Sequence, residues 1–159
     1  MMKNKTLYLM VGIPGSGKST YAIKFMDNRK GWAYISRDEI RFSLLGSEEE
    51  YFAKENLVFR IFIDKINDAI EDDNIFNIIV DATHLNTASR MKVLNRINTN
   101  NCNIVPIIMT TSLEDCIERN NLRSGRARVP ESVIRNMFRS ITHPRKDKFS
   151  YAGYMEVTT

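Results

Sequence analysis

Residues 12–19 read GIPGSGKS, a complete G-x-x-x-x-G-K-[ST] phosphate-binding motif. The motif begins where the apolar run Leu7–Val11 stops, and a helix-like stretch follows from Lys18. A glycine-rich turn between a strand and a helix directs several backbone N–H groups and the positive end of the helix dipole at one position. The sequence therefore predicts an α/β fold that binds a nucleoside triphosphate.

The motif also assigns roles to its own side chains. Lys18 is expected to reach the β- and γ-phosphates, and the Ser19 hydroxyl is expected to ligate Mg²⁺. The alternative is an ordinary glycine turn, which the strand–loop–helix context disfavours. The nucleotide-binding residues expected from this segment are Gly12, Pro14, Gly15, Ser16, Gly17, Lys18, Ser19 and Thr20.

The size and composition of the chain indicate one α/β domain over residues 1–159, with 43% apolar and 26% charged residues. No apolar run approaches the ~20 residues that span a bilayer, and the first residues lack the apolar segment of a signal peptide. Cys102 and Cys116 do not have the spacing of metal ligands. We expect both to be buried thiols in a reducing compartment. We therefore expect a cytoplasmic protein.

The charge of the chain is unevenly distributed, although its net value is only +4. Between Arg119 and Lys148, nine basic residues are accompanied by only two acidic ones, Glu131 and Asp147. A basic C-terminal third suggests that a polyanion meets the protein there. A nucleotide substrate would account for part of this charge, and a nucleic-acid substrate would account for more of it.

Apolar runs predict strands at Leu7–Val11, Trp32–Ile35, Phe76–Val80 and Ile104–Met109. Helices are predicted over about residues 18–28, 48–71, 88–97, 112–122 and 130–141. The longest is expected to start at a Ser47/Glu50 capping box and to include Phe52 in its core-facing stripe. The alternation predicts a three-layer sandwich with a parallel sheet of about four strands, whose carboxyl edge holds the ligands.

A polar cluster, SRDEIR, follows the second predicted strand. Asp38 is placed to accept the proton of an attacking hydroxyl, and Arg41 to hold that carboxylate or a substrate phosphate. The alternative is a helix N-cap at Ser36 or Asp38 with an i,i+3 ion pair. The residues alone leave both interpretations open.

A second polar cluster, DATHLN, follows the third predicted strand. Asp81 occupies the position of a Walker-B carboxylate, which orients Mg²⁺ directly or through water. The alternative is that Asp81 and Thr83 only end the strand and cap the next helix. His84 is either a substrate contact or base, or a hydrogen-bonding linker in the turn.

The segment ERNNLRSGRARVP has the composition of a mobile lid over about residues 119–130. Arg119 and Arg123 share one helix face, and Arg126 and Arg128 follow on a short loop. Arginines on a lid can close over a triphosphate and neutralise charge on the transferred phosphoryl group. The alternative is a solvated basic loop.

Taken in order and spacing, GIPGSGKS, SRDEIR, DATHLN and RNNLRSGRARVPESVI resemble the kinase domain of phage-type 5′-polynucleotide kinases, over residues 5 to about 141. The resemblance implies a P-loop kinase with a helical lid that uses ATP and Mg²⁺ to phosphorylate 5′-hydroxyl ends of DNA or RNA. It implies that Asp38 is the general base, that Arg41 engages the acceptor phosphate and that Arg123 clamps the donor. Catalysis is expected from Asp38, Lys18 and Arg123, and acceptor binding from Arg41, Arg126 and Arg128. Arg119 and Arg123 are also expected to bind the nucleotide, and Ser19 and Asp81 to bind the metal.

Some features depart from that family or lie outside it. The paired-aspartate D-x-D motif of a fused phosphatase domain is absent, and His84 stands where asparagine is common. Residues 143–159 have no assignment. The resemblance also allows a homo-oligomer, and it would place a phage-encoded chain in the host cytoplasm. Two rival functions stay open, namely a kinase for a nucleoside, sugar or nucleotide sugar, and an NTP-binding regulatory module.

Overall fold

The fold is built on a five-stranded sheet, in a computed structural model that describes residues 4–159. The strands are β1 (Lys5–Val11), β2 (Trp32–Ser36), β3 (Asn77–Asp81), β4 (Cys102–Met109) and β5 (Met155–Val157). Their order is β2-β3-β1-β4-β5, and every pair is parallel. The predicted α/β fold with a central parallel sheet is confirmed.

Six α-helices connect or flank these strands. They are α1 (Lys18–Met26), α2 (Arg37–Leu44), α3 (Glu55–Glu71), α4 (Thr87–Leu94), α5 (Leu113–Asn121) and α6 (Glu131–Ser140). Local capping explains several of their starts: Ser36 accepts a hydrogen bond from the Glu39 N–H, and Ser112 accepts one from the Asp115 N–H. Within residues 4–159, no helix is both long and apolar enough to cross a membrane.

The sheet is covered on both faces, which explains why its inner strands are almost continuously apolar. On one face, Leu7 and Leu9 pack with Phe62 and Ile66 of α3. On the other face, Met10, Ile79 and Ile107 pack with Ala22 of α1. A third apolar cluster lies where α5 and α6 meet the loop after β1, and it consists of Ile13, Leu85, Cys116, Ile117 and Ile134.

The strand register brings the carboxyl ends of the inner strands to one edge. Leu9 pairs with Val80, and Ser36 pairs with Asp81. The loop after β1, the start of α2 and the end of β3 are therefore neighbours, although they are distant in the chain. Ligands bind at this edge in open α/β sheets.

The fifth strand lies in the segment that had no assignment from the sequence. Met155 of β5 pairs with Ile107 of β4. The segment that leads to β5 is anchored by a buried ion pair between Arg90 and Asp147, with an N–O distance of 2.6 Å. The Tyr151 hydroxyl donates to the same carboxylate at 2.7 Å. Tertiary contacts, which a three-residue pattern cannot reveal, thus place this strand.

The longest helix begins at Glu55, so the predicted start near residue 48 is wrong. Residues 45–54, called the α2–α3 loop below, form a series of turns instead. In this loop Glu49 accepts a 2.9 Å hydrogen bond from the Gly46 N–H, and Lys54 donates to the Leu44 carbonyl at 2.8 Å. The expected core position of Phe52 is also wrong, since this side chain is 66% exposed.

Candidate active site

The phosphate-binding loop joins β1 to α1 and depends on its glycines. Gly15 and Gly17 both have φ +84°, a conformation that side chains disfavour. A Cβ at Gly15 would lie 2.3 Å from the Cys116 carbonyl oxygen, and one at Gly12 would lie 2.5 Å from Ser16 Oγ. The loop therefore keeps its shape because glycine allows both the turn and the close approach of α5.

The loop ends in free backbone donors at the start of α1. The first helical hydrogen bond runs from the Tyr21 N–H to the Gly17 carbonyl at 2.9 Å. The N–H groups of Lys18, Ser19 and Thr20 consequently have no acceptor within the helix. Together with the positive end of the helix dipole, they form an anion site of the kind that the motif predicts.

Ser19 and Asp81 meet at this edge of the sheet. The Ser19 hydroxyl donates to Asp81 Oδ2 at 2.6 Å, and the Tyr34 hydroxyl donates to the same oxygen at 2.5 Å. Burial, and then the Asp81 carboxylate, raise the pKa of the Tyr34 hydroxyl, so it stays protonated and donates. Tyr34 was not predicted from the sequence, because it reaches the site only through the pairing of β2 with β3.

The donor set suits Mg²⁺. Asp81 is 3% exposed, and its neighbours at this point are hydroxyl groups. No cluster of three or more His, Cys, Asp or Glu residues lies anywhere in residues 4–159. Mg²⁺ commonly uses one or two protein oxygens and completes its shell with water and substrate phosphates. Ser19 and Asp81 are therefore suitable ligands for a metal that arrives with a nucleotide.

Asp38 lies in the first turn of α2, and its carboxylate is held at one oxygen. Ser36 is the N-cap of this helix, so Asp38 does not cap it. Asp38 Oδ1 accepts hydrogen bonds from Arg41 Nη1 and, at 2.5 Å, from the Tyr51 hydroxyl. Asp38 Oδ2 accepts none from the described residues, and the side chain is 55% exposed. One oxygen is thus fixed, and the other has no hydrogen-bond donor among the described residues.

Arg41 forms the expected i,i+3 ion pair with Asp38, but it belongs to a larger network. Its guanidinium is 4% exposed and binds Glu55 with Nη2–O distances of 2.8 and 2.9 Å. Burial alone would lower the pKa of Arg41, but the hydrogen bonds that Arg41 donates to Glu55 outweigh it and raise the pKa. Arg37 also pairs with Glu55. Tyr51 and Glu55 were not predicted, since no spacing in the sequence links them to Asp38.

The lid arginines divide into two groups. Arg119 Nη1 donates to Thr159 Oγ1 at 2.7 Å and to the Gly15 carbonyl at 3.4 Å, so this side chain lies against the phosphate-binding loop. Burial raises the pKa of the Cys116 thiol, and the charges of Arg119, Lys18 and Arg123 oppose that rise. The charges of all three arginine and lysine side chains are therefore felt at Cys116, whose carbonyl lies against Gly15 of the phosphate-binding loop.

Arg126 extends in the other direction. Its Nη1 donates to the Gly46 carbonyl at 3.0 Å, and its guanidinium lies 5.4 Å from the Phe42 ring centroid. The lid thereby touches the α2–α3 loop. Arg128 lies on the same lid and is exposed.

Asn120 fastens the base of the lid, a role that the sequence analysis missed. Its side chain is fully buried, accepts from the Val129 N–H at 2.9 Å and donates to the Val129 carbonyl at 2.6 Å. These two bonds close residues 121–128 into an exposed loop whose ends stay together. An asparagine can satisfy both backbone groups because its amide carries a donor and an acceptor.

His84 is buried behind the phosphate-binding loop. Its Nδ1 lies 2.8 Å from the Met10 carbonyl oxygen, and only 3% of the residue is exposed. The backbone there is left-handed, with φ +43°. Burial lowers the pKa of the imidazole to about 4. This geometry corresponds to the linking alternative, since the ring neither reaches the open edge nor retains much basicity.

The sequence of this chain is similar to one known protein family and to a viral protein. The sequence model of a family described as AAA domain matches residues 7–144. A protein of Autographa californica nuclear polyhedrosis virus, named as a bifunctional polynucleotide kinase/RNA ligase, is 29% identical over 149 residues. That match covers 86% of this chain but only 21% of the viral protein. The chain therefore spans about a fifth of the length of this relative.

Solved structures share the fold. A chain of the Pnkp1/Rnl/Hen1 RNA repair complex superposes with a TM-score of 0.74 at 21% identity, covering 95% of this chain and 48% of that one. A sugar kinase from Janibacter sp. HTCC2649 superposes with a TM-score of 0.64 at 15% identity, covering 97% and 85%. The resemblance to polynucleotide kinases that the four motifs indicate is confirmed by the viral match, and the RNA-repair chain shares the fold.

Proposed function

We propose that this member of the AAA domain family transfers the γ-phosphoryl group of ATP to a 5′-hydroxyl end of DNA or RNA. The observation that carries the proposal is the half-held carboxylate of Asp38 at the edge of the phosphate site. Its Oδ1 is fixed by Arg41 and Tyr51, and its Oδ2 is open. A signalling module that only binds a nucleotide has no use for a proton acceptor at this position.

The donor half of the site is the phosphate-binding loop with the lid. The free N–H groups at the start of α1 bind the β- and γ-phosphates, and Lys18 adds a positive charge to them. Arg119 lies against this loop, and Arg123, on the exposed turn after α5, would close over the donor phosphates with it. Ser19 and Asp81 would hold Mg²⁺, which would neutralise charge on the phosphate oxygens.

In the transfer step, Asp38 Oδ2 accepts the proton of the 5′-hydroxyl as that oxygen attacks the γ-phosphorus. The new O–P bond forms while the bond from the γ-phosphorus to the β,γ-bridging oxygen breaks, and ADP leaves. The proton remains on Asp38 until solvent removes it. Lys18 and Arg123 stabilise the charge that spreads over the transferred group.

The acceptor half of the site lies between α2 and the lid. Within the described residues, Arg41 directs its side-chain hydrogen bonds to Asp38, Tyr51 and Glu55. Its contact with an acceptor phosphate therefore requires Nη1 to exchange one of its present partners for the phosphate. Arg126 and Arg128 lie on the exposed lid, where they can bind phosphates further along the strand.

An acceptor panel tests this function. The protein is incubated with γ-labelled ATP and with 5′-hydroxyl DNA, 5′-hydroxyl RNA, a nucleoside or gluconate, and the same oligonucleotides carrying a 5′-phosphate serve as matched controls. The proposal expects label on the 5′-hydroxyl oligonucleotides only. Label on the small acceptors alone would make the protein a small-molecule kinase, a class that includes a sugar kinase of the same fold. Absence of any acceptor-dependent turnover would indicate a regulatory module.

A further inference from the structure

An exposed aromatic ring lies beside the acceptor half of the site. Phe52, in the α2–α3 loop, is 66% exposed, whereas most large apolar side chains of the described residues are covered. Its ring meets the Tyr51 ring edge to face, with centroids 4.7 Å apart and planes at 85°. Exposing so much aromatic surface to water is unfavourable, so a ligand that covers the ring would gain binding free energy from burying that surface.

The ring is connected to the catalytic carboxylate through a single residue. The Tyr51 hydroxyl donates to Asp38 Oδ1 at 2.5 Å, and the ring of the same tyrosine contacts Phe52. The Arg41 guanidinium lies 4.1 Å from the Tyr51 centroid and 5.8 Å from the Phe52 centroid. The position of Phe52 relative to Asp38 is thus set by a hydrogen bond and a ring contact.

We propose that Phe52 is the stacking surface for the 5′-terminal nucleobase of the acceptor strand. This inference rests on the proposed polynucleotide kinase function, because the base is attached to the sugar whose 5′-hydroxyl must reach Asp38. Aromatic side chains stack on any base, since every base has a π-face. The face of Phe52 that Tyr51 does not contact is therefore available to the terminal base.

The charges around the ring favour a base over a phosphate at this point. Glu48 and Glu50 are exposed on the same loop and repel phosphate groups. The Arg41 guanidinium near the ring is already paired with Asp38 and Glu55. Arg126 donates to the Gly46 carbonyl at another point of the loop. The exposed carboxylates therefore disfavour a phosphate at the ring, whereas an uncharged base meets no such repulsion.

The test compares two acceptor oligonucleotides that differ only in whether the 5′-terminal nucleotide carries a base or is abasic. Kinetics are measured for the wild type, Phe52→Ala, Phe52→Trp and Phe76→Ala. Phe76 is a matched control because its ring is 53% exposed but precedes β3, at the opposite edge of the sheet from Asp38. The ATP dependence is measured in parallel for each variant.

We expect Phe52→Ala to raise the KM for the base-carrying acceptor about tenfold, and to leave the KM for the abasic acceptor and for ATP unchanged. Phe52→Trp keeps the wild-type KM for the base-carrying acceptor, because it retains an aromatic face. Phe76→Ala has the wild-type KM for both acceptors. An equal effect of Phe52→Ala on both acceptors, or no effect on either, would overturn the inference while the proposed function stands. Failure of the wild-type protein to phosphorylate either oligonucleotide would overturn the proposed function and this inference with it.

Discussion

The Ser19 hydroxyl donates a 2.6 Å hydrogen bond to Oδ2 of Asp81, although 62 residues separate the two in the chain. Parallel pairing of β1 with β3 produces this contact, because Leu9 lies opposite Val80 and both strands end at the same edge. The phosphate-binding loop thereby gains a charged oxygen that its own sequence lacks. The pair of a hydroxyl and a carboxylate is the part of the site that should respond to Mg²⁺.

Replacing Asp81 by asparagine should raise the Mg²⁺ concentration that phosphoryl transfer requires. The substitution keeps the shape of the side chain but removes the negative charge that attracts the cation. We expect the Mg²⁺ concentration for half-maximal rate to rise about 10- to 100-fold, with smaller change in ATP affinity measured at saturating metal. Initial rates over a Mg²⁺ titration, at fixed ATP, provide the measurement.

Tyr34→Phe is the matched control for that experiment. It removes the second hydroxyl on Asp81 Oδ2 and retains the carboxylate charge. We expect its Mg²⁺ requirement to stay within a few-fold of the wild type. Equal Mg²⁺ requirements for Asp81→Asn and the wild type would show that the carboxylate does not serve the metal.

Asp38→Asn should abolish phosphoryl transfer while ATP still binds. The amide cannot accept the hydroxyl proton at neutral pH, and loss of a general base typically costs about 10²- to 10⁴-fold in rate. Single-turnover transfer to a 5′-hydroxyl oligonucleotide measures the rate, and equilibrium binding of labelled ATP measures the donor site. Glu39→Gln, one residue further on the exposed side of α2, is the control with the same chemical change. Near-normal transfer by Asp38→Asn would assign the base elsewhere.

His84 should make the protein less stable in mild acid. Its pKa is about 4 in the folded protein because of burial, against 6.5 for an ordinary histidine. The unfolded chain therefore binds a proton that the folded one resists. The full stability is present above pH 6.5 and falls as the pH drops toward 4, by on the order of 3 kcal/mol. Urea unfolding at several pH values measures this loss.

His84→Asn removes the titrating ring and accepts the left-handed backbone at φ +43°, where asparagine is tolerated. The slope of stability between pH 6.5 and 4 should flatten in this variant. If His84→Asn lost stability with acid as steeply as the wild type, the buried imidazole would not be the cause.

The sequence predicts the parts of this protein that depend on local pattern. The inner strands are continuous apolar runs because both faces of the sheet are covered, and the phosphate-binding loop is a complete motif. Ser112 and Asp115 mark the start of α5 correctly, since capping involves residues three apart. The predicted start of α3 is wrong, because Glu49 forms its hydrogen bond within the α2–α3 loop and not in a helix.

The parts that the sequence does not predict depend on contacts between distant segments. Tyr51 binds Asp38 from a loop whose turns have no recognisable signature, and Tyr34 reaches Asp81 only across paired strands. β5 is three residues long and lies in place because the preceding segment docks through Asp147. Such contacts arise from the packing of the whole sheet, so no local periodicity of the sequence predicts them.

The buried ion pair between Arg90 and Asp147 should be essential for stability, because neither side chain has any exposed area. Asp147 also accepts from the Thr87 hydroxyl at 2.5 Å and from Tyr151 at 2.7 Å. Asp147→Leu would leave the Arg90 charge buried without its partner. We expect a loss of about 3–5 kcal/mol in the free energy of unfolding, measured by urea denaturation at pH 7.

The double variant Arg90→Met/Asp147→Leu removes both charges and should recover much of that loss, since apolar replacements of a buried pair are often well tolerated. Acid supplies an independent check. Burial opposes the charge of Asp147, but hydrogen bonds from Arg90, Thr87 and Tyr151 outweigh it and hold the pKa below the ordinary 3.8. Its contribution is therefore complete above pH 3.8 and is lost as the pH falls through the lower folded-state value. A double variant as unstable as Asp147→Leu would show that packing, and not the unpaired charge, accounts for the loss.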